Sequence, residues 1–229
     1  MSIFAISDLH LSKSNPKPMN IFGEKWDNHW DKIKNYWMNV VKENDTVLVP
    51  GDISWAMTIE EALLDIQDIS NMPGRKIFIQ GNHDYWWQSA SKVRKILTHN
   101  TEIIQNDFID IGDFLICGTR GWLMPGDERF QEKDNKIFKR ELIRLEMSLS
   151  KASSISSKEI IVMIHFPPFN VKEGNYEFID IMKKYNVKIC VYGHLHGDGI
   201  NNVFEGFYSN IEFYMVSCDY LDFKLKRIY

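Results

Sequence analysis

Apolar and polar positions along the chain follow two alternating rhythms. Short apolar runs rich in β-branched residues, at 3–7, 47–49, 77–79, 114–117, 160–164 and 187–192, read as strands. Two more, at 213–217 and 223–225, read as late strands. Between them the apolar positions recur every three or four residues. Trp26, Trp30, Ile33, Trp37, Val40 and Val41 form one stripe on a predicted helix from about 26 to 43. A second helix is predicted over 58–69, where Thr58 and Glu61 have capping-box spacing, and Met72-Pro73-Gly74 ends it. Further helices are predicted at 88–97, at 135–150 with Ile137, Phe138, Leu142, Leu145 and Leu149 on one face, and at 176–185. Pro16, Pro18 and Gly23 mark 12–25 as a loop, and serines mark 153–157 as a connector.

Strands first alternate with helices and then follow one another more closely. That order predicts an α/β fold with a mixed sheet or two facing sheets. A length of 229 residues is most simply one domain, 1–229, and a 44% hydrophobic fraction supplies a sizeable core. The net charge of −4, with no basic block, argues against gripping a nucleic-acid polymer. Cys117, Cys190 and Cys218 form no CxxC pair and lie in apolar runs, as buried thiols of a reducing compartment do. The amino-terminal run is short and lacks a basic flank, and no stretch approaches the ~20 apolar residues that span a bilayer. A soluble cytoplasmic protein without a membrane partner is expected.

Chemistry concentrates where strands end. The runs are Asp8-Leu9-His10, Gly51-Asp52, Gly81-Asn82-His83-Asp84, Ile164-His165-Phe166 and Gly193-His194-Leu195-His196. Alternate residues of a strand share a face, so Asp8 and His10 face one ion if the extended backbone continues past Ser7; the same holds for His194 and His196. The two oxygens of Asp52 allow it to bridge two cations, and Asn82 adds a neutral carbonyl oxygen. Imidazole mixed with carboxylate suits Zn, Fe or Mn better than Ca or Mg. Gly51, Gly81 and Gly193 permit a positive φ or close backbone approach at these turns.

The order DxH, GD, GNHD, H, GHxH, spread from Asp8 to His196, resembles the calcineurin-like metallophosphoesterase family. The resemblance implies two facing mixed β-sheets flanked by helices, a four-layer sandwich. It implies one ion held by Asp8, His10, Asp52 and His196, and a second held by Asp52, Asn82, His165 and His194, with Asp52 as the bridge. His83 would sit over the phosphate and assist the leaving oxygen, with Asp84 orienting its imidazole. The implied activity is that of a phosphatase or phosphodiesterase using two transition-metal ions (Mn, Fe or Zn). It would hydrolyse a mono- or diester of a small phosphorylated substrate by metal-activated hydroxide. The stretch from Gly51 to Met57 departs from the family pattern, with neither the acidic residue nor the arginine that many members carry there.

Two other readings compete. An interaction module that had lost catalysis should lack ligands or the GNHD histidine, and this chain keeps them all. Metals that only stabilise a fold usually sit in closed, cysteine-rich sites, and this set has no cysteine. His29 and His99 stand without partners and read as ordinary surface or core histidines. Trp55, Trp86 and Trp87 either wall the site and touch substrate or pack beneath its loops. Segment 118–134 is long for a connection. It could close over the site and bring Arg120 or Arg129 to phosphate, or be a solvated loop with ordinary surface charges.

Overall fold

The computed structural model describes residues 1–98, 100–170 and 174–229. The first sheet has β1 (Ile3–Ala5), β2 (Thr46–Pro50), β3 (Arg75–Ile79) and β4 (Thr101–Ile103) side by side and parallel. The second holds β5 (Phe108–Asp110), β6 (Phe114–Thr119), β7 (Glu159–Ile164), β8 (Val187–Tyr192), β9 (Gly206–Tyr208) and β10 (Ile211–Met215) in the order β5-β6-β7-β8-β10-β9. Its inner four strands are parallel and its edges antiparallel. β11 (Lys226–Arg227) returns to pair antiparallel with β1.

Period-two alternation explains the layering. In β2, Leu48 points inward between the sheets while Val47 and Val49 point out; in β7, Ile161 and Met163 point in while Ile160, Val162 and Ile164 point out. Both faces of each sheet are covered, so these strands carry unbroken apolar runs. The first sheet's outer face packs with residues of α1 (His29–Val40) and α2 (Ile59–Ser70), followed in the chain by the short α3 (Ala90–Arg94). The second sheet's outer face takes α4 (Asp134–Ile155) and α5 (Glu177–Met182). This is the expected arrangement of two mixed sheets flanked by helices.

The departures from expectation have local causes. The edge strands β4, β5, β9 and β11 are only two or three residues long, too short for a rhythm to register, and short edges resist pairing with other chains. The last strand falls at Lys226–Arg227 rather than 223–225, because Asp222 and Phe223 adopt positive φ and form a turn. The first helix begins at His29 because Asn28 is left-handed, leaving Trp26 in a 3-10 turn, Glu24–Trp26. The helices at 88–97 and 176–185 shorten to Ala90–Arg94 and Glu177–Met182. α4 runs on through most of the serine stretch read as a connector, with Ser150 and Ser154 hydroxyls donating back to the carbonyls of Met147 and Lys151. Among the described residues, no helix is long and apolar enough to cross a membrane.

Candidate metal centre

The five motifs meet at the carboxyl ends of adjacent parallel strands, where α/β folds place their sites. Asp8 and His10 follow β1, Asp52 follows β2, Asn82 to Asp84 follow β3, His165 follows β7, and His194 and His196 follow β8. The sandwich closes here: Ser7 N–H donates to the Val216 carbonyl at 2.7 Å, and Cys218 N–H donates to the Ser7 carbonyl at 3.0 Å. Asp8 N–H and His10 N–H donate to the carbonyls of Gly51 and Asp52, zipping the first two turns together.

The backbone at the ligands is not extended. Asp8 (φ 60°), His10 (φ 47°), Asp52 (φ 52°) and His194 (φ 73°) are all left-handed, at roughly 1–2 kcal/mol each. The expectation that strand alternation aims Asp8 with His10, and His194 with His196, is therefore corrected. Tight turns aim them, and strained backbone of this kind clusters at functional sites. Gly81 and Gly193 serve by close approach rather than by φ. A Cβ on Gly81 would run into the Asp52 carboxylate and amide, and one on Gly193 into the carboxylate of Asp8.

Among the described residues, two groups of donors lie close enough to share a cation: Asp8, His10 and His196, and Asp8, Asp52 and His165, each set within 4.8 Å. Asp8 Oδ2 accepts from the Ser7 hydroxyl, the Ser217 hydroxyl (2.9 Å) and His194 N–H (3.1 Å), while Oδ1 faces His196 Nε2 at 3.1 Å. Asp52 Oδ1 accepts from His83 N–H at 2.8 Å. Its Oδ2 faces His10 Nε2 at 3.8 Å and His165 Nε2 at 3.5 Å, so one oxygen looks into both groups. Asn82 Oδ1 lies 2.8 Å from His165 Nε2. The His194 ring sits 5.2 Å from that of His165 and packs on Phe166, outside both tight groups.

The electrostatics call for positive charge. Asp8, Asp52 and Asp84 are buried together. Burial, with Asp8 and Asp84 beside it, holds the Asp52 carboxyl well above the usual carboxylate range. Burial also raises Asp84. It pushes His10 down to about 3 and His165 to about 4, so both imidazoles are neutral at physiological pH. His165 Nδ1 lies 3.0 Å from the Pro50 carbonyl. A neutral ring donating there turns the lone pair of Nε2 toward the Asn82 carboxamide at 2.8 Å, which sets two ligand-type groups side by side. His10 Nδ1 is buried without a hydrogen-bond partner. Burial opposes charge on His196 too, but Asp8 and Asp219 outweigh it and raise the group to about 10, so a proton supplies positive charge beside Asp8. The mixed imidazole, carboxylate and amide donors fit transition-metal ions.

The calcineurin-like phosphoesterase family model matches residues 1–198. The chain belongs to the calcineurin-like phosphoesterase family. It is 35% identical over 78 residues to the gene 66 protein of Mycobacterium phage L5, a match spanning 34% of this chain and 37% of the phage protein. Among solved structures it resembles the phosphopantetheinyl hydrolase of Mycobacterium tuberculosis (TM-score 0.59, 13% identity, 99% of this chain and 95% of that one). It also resembles a protein of unknown function from Aquifex aeolicus (TM-score 0.51, 18% identity, 99% and 95%). At those identities the solved structures share the fold alone.

Against the family pattern, several residues play other parts. Asp84 does not touch the His83 ring, whose Nδ1 is buried without a partner. Its Oδ1 accepts from the N–H groups of Ile53 (2.8 Å) and Ser54 (3.1 Å) and from Trp86 Nε1 (3.1 Å), and Oδ2 accepts from Gly81 N–H (2.8 Å). It clamps the GD turn to the GNHD turn rather than orienting an imidazole or capping a helix. The ring beside His83 is Trp55, 4.5 Å away and stacked on His10 at 4.8 Å, so Trp55 walls the site. Trp86 and Trp87 do not, because both are buried, with Nε1 of Trp87 donating to Gln105 Oε1.

Segment 118–134 is pinned by Trp122, whose Nε1 donates to Asp134 Oδ1 at 2.9 Å, and by buried Met124. That anchoring does not match a closing lid. The Arg120 guanidinium stacks on Trp122 and faces Glu141 at 3.6 Å, while its carbonyl accepts from His165 and Phe166 N–H groups. Those contacts hold the guanidinium, whose charge interacts with Asp52 and whose Nε is buried without a partner. Arg129 is exposed and paired with Asp127, yet its charge is felt at His194, which places it near the rim. His29 is an ordinary satisfied histidine, its Nε2 2.9 Å from the Leu9 carbonyl, and His99 lies outside the described residues. Sequence reasoning missed Ser217 and Asp219, which follow β10 and touch Asp8 and His196. An acidic residue just past a strand end was the available signal.

Proposed function

We propose that this chain is a dinuclear metal-dependent phosphoesterase acting on a small phosphorylated substrate. The observation that carries the reading is the Asp52 Oδ2 oxygen facing both donor groups while Oδ1 is occupied by the His83 amide. Asp8, His10, Asp52 and His196 would hold one ion, and Asp52, Asn82, His165 and His194 the other. Bound there, Mn, Fe or Zn ions would polarise phosphoryl oxygens and acidify bound water.

The side chains supply the rest. Asp52 keeps the donor groups adjacent, and its bond to the His83 amide fixes the GNHD turn. The His83 ring stands at the rim, between Trp55 and Tyr85. Burial lowers it below the ordinary imidazole value, and an arriving phosphate anion favours its protonated form. From there His83 donates a proton to the leaving oxygen, worth on the order of 10²–10⁴-fold. The Trp55 face excludes water beside His83. Three buried free thiols suit the cytoplasm, where we place the protein.

The test is a screen of aryl phosphate monoesters, diesters and nucleotides with Mn²⁺, Fe²⁺, Zn²⁺, Co²⁺ or Ni²⁺. The reading predicts turnover that chelation abolishes. No turnover with any metal would contradict it and favour an interaction module.

A further inference from the structure

The segment that follows β10 lies beyond the family match, which ends at residue 198. It nevertheless reaches the back of the candidate centre. The Ser217 hydroxyl donates to Asp8 Oδ2 at 2.9 Å, and the Cys218 thiol donates to the Asp8 carbonyl at 3.0 Å. Asp219 comes next. Its side chain is 1% exposed, with Oδ1 at 2.7 Å from His196 Nδ1. Its other oxygen, Oδ2, accepts from Lys25 Nζ at 3.0 Å.

An imidazole that ligates through one nitrogen must hold its proton on the other. A carboxylate at that second nitrogen fixes the tautomer, pins the ring and makes the ligating nitrogen a stronger donor. His196 shows this arrangement: Nδ1 on Asp219, Nε2 toward Asp8 Oδ1 at 3.1 Å. His165, in the other group, has only the neutral Pro50 carbonyl at its Nδ1. His196 and His165 are therefore backed unequally, one by a buried carboxylate and one by a peptide oxygen, while His10 Nδ1 has no partner.

We propose that Asp219, braced by Lys25, is a positioning residue that sets His196 Nε2 for metal binding and makes the Asp8–His10–His196 group the tighter of the two. Lys25 sits in the 3-10 turn with Trp26, whose ring lies 5.9 Å from His196, so the segment before α1 is tied to the same imidazole. This inference rests on the dinuclear reading above.

The test is metal titration of the full chain with Mn²⁺ in chelator-buffered solutions, reading retained ions per chain by mass spectrometry, with thermal melting of the metal-free protein alongside. Asp219→Ala is expected to weaken one ion by about 10–100-fold and leave the other within about threefold. Asp219→Asn, which keeps an acceptor oxygen, should recover part of the loss. Unchanged affinities, or equal weakening of both ions, would overturn the proposal. So would a lowered melting temperature with unchanged affinities, because that is what a purely structural Asp219 produces. If Asp219→Ala fails to fold, Asp219→Asn decides: wild-type affinity for both ions overturns the proposal, and selective weakening of one supports it. Wild-type protein that binds no ion would instead sink the dinuclear reading itself, and this proposal with it.

Discussion

The carboxylate of Asp84 accepts a hydrogen bond from the backbone N–H of Ile53 at 2.8 Å, joining the turn after β3 to the turn after β2. The Gly81 and Ser54 N–H groups complete the clamp. Asp84→Asn replaces one acceptor with an NH₂ group facing an N–H, at about 1–3 kcal/mol for each group left unsatisfied. We expect a lower melting temperature and reduced metal content together. A variant that melted like wild type, kept its metal and only turned over slowly would show Asp84 acting through His83 instead.

His83 belongs to neither donor group, although its ring neighbours those of Trp55 and His10. His83→Ala should slow turnover on the order of 10²–10⁴-fold while leaving metal content and melting temperature near wild type. Loss of an ion in this variant would make His83 a ligand.

Lys76 is fully buried in β3, and its Nζ donates to the carbonyls of Ser70, Met72 and Gly74 at the carboxyl end of α2. Lys76→Met keeps the chain length and removes all three bonds. The Ser70 carbonyl keeps a bond from Asn100 Nδ2 at 3.0 Å, so two acceptors are left unsatisfied, and at about 1–3 kcal/mol each a destabilisation of roughly 2 kcal/mol or more is expected in urea unfolding. The rate per folded molecule should not change. A variant as stable as wild type would mean that the ammonium contributes nothing net.

Asp45 ties the amino terminus to the sheet: Oδ1 accepts from Ser2 N–H at 2.7 Å and Oδ2 from Lys42 N–H at 2.9 Å. Burial opposes its charge, but those two amides and the terminal ammonium outweigh it, so its pKa falls below the ordinary 3.8. A carboxyl depressed on folding contributes stability that is fully present above the unfolded value and lost as pH falls through the folded one. The stability gap between wild type and Asp45→Asn should stay constant from about pH 7 to 5 and shrink below about pH 4. Urea unfolding across that range checks it, and a gap that widened in acid would contradict the assignment.

The legible parts of the fold were those with a physical signature in one dimension. β2, β3, β7 and β8 are buried on both faces and therefore written as apolar runs, and each ends at a motif. The α1 stripe was readable, but not its start, because nothing local marks Asn28 as left-handed. Likewise the residues of the centre were readable, but not the backbone that aims them. Asp8, His10, Asp52 and His194 depend on turns held by bonds between distant segments, such as Asp8 N–H to the Gly51 carbonyl. Trp55, Trp86 and Trp87 look alike in the sequence. They are separated only by the partners their indoles find: His10 for the first, Asp84 and Gln105 for the others.

The central claim is that one oxygen of Asp52 joins two metal sites. Its most direct test is the number of ions per chain in Mn²⁺-loaded wild type and in Asp52→Asn, counted by mass spectrometry after removal of free metal. The account predicts two ions in the wild type and clear loss at both positions in the variant. One ion or none in the wild type, or two in the variant, would contradict it.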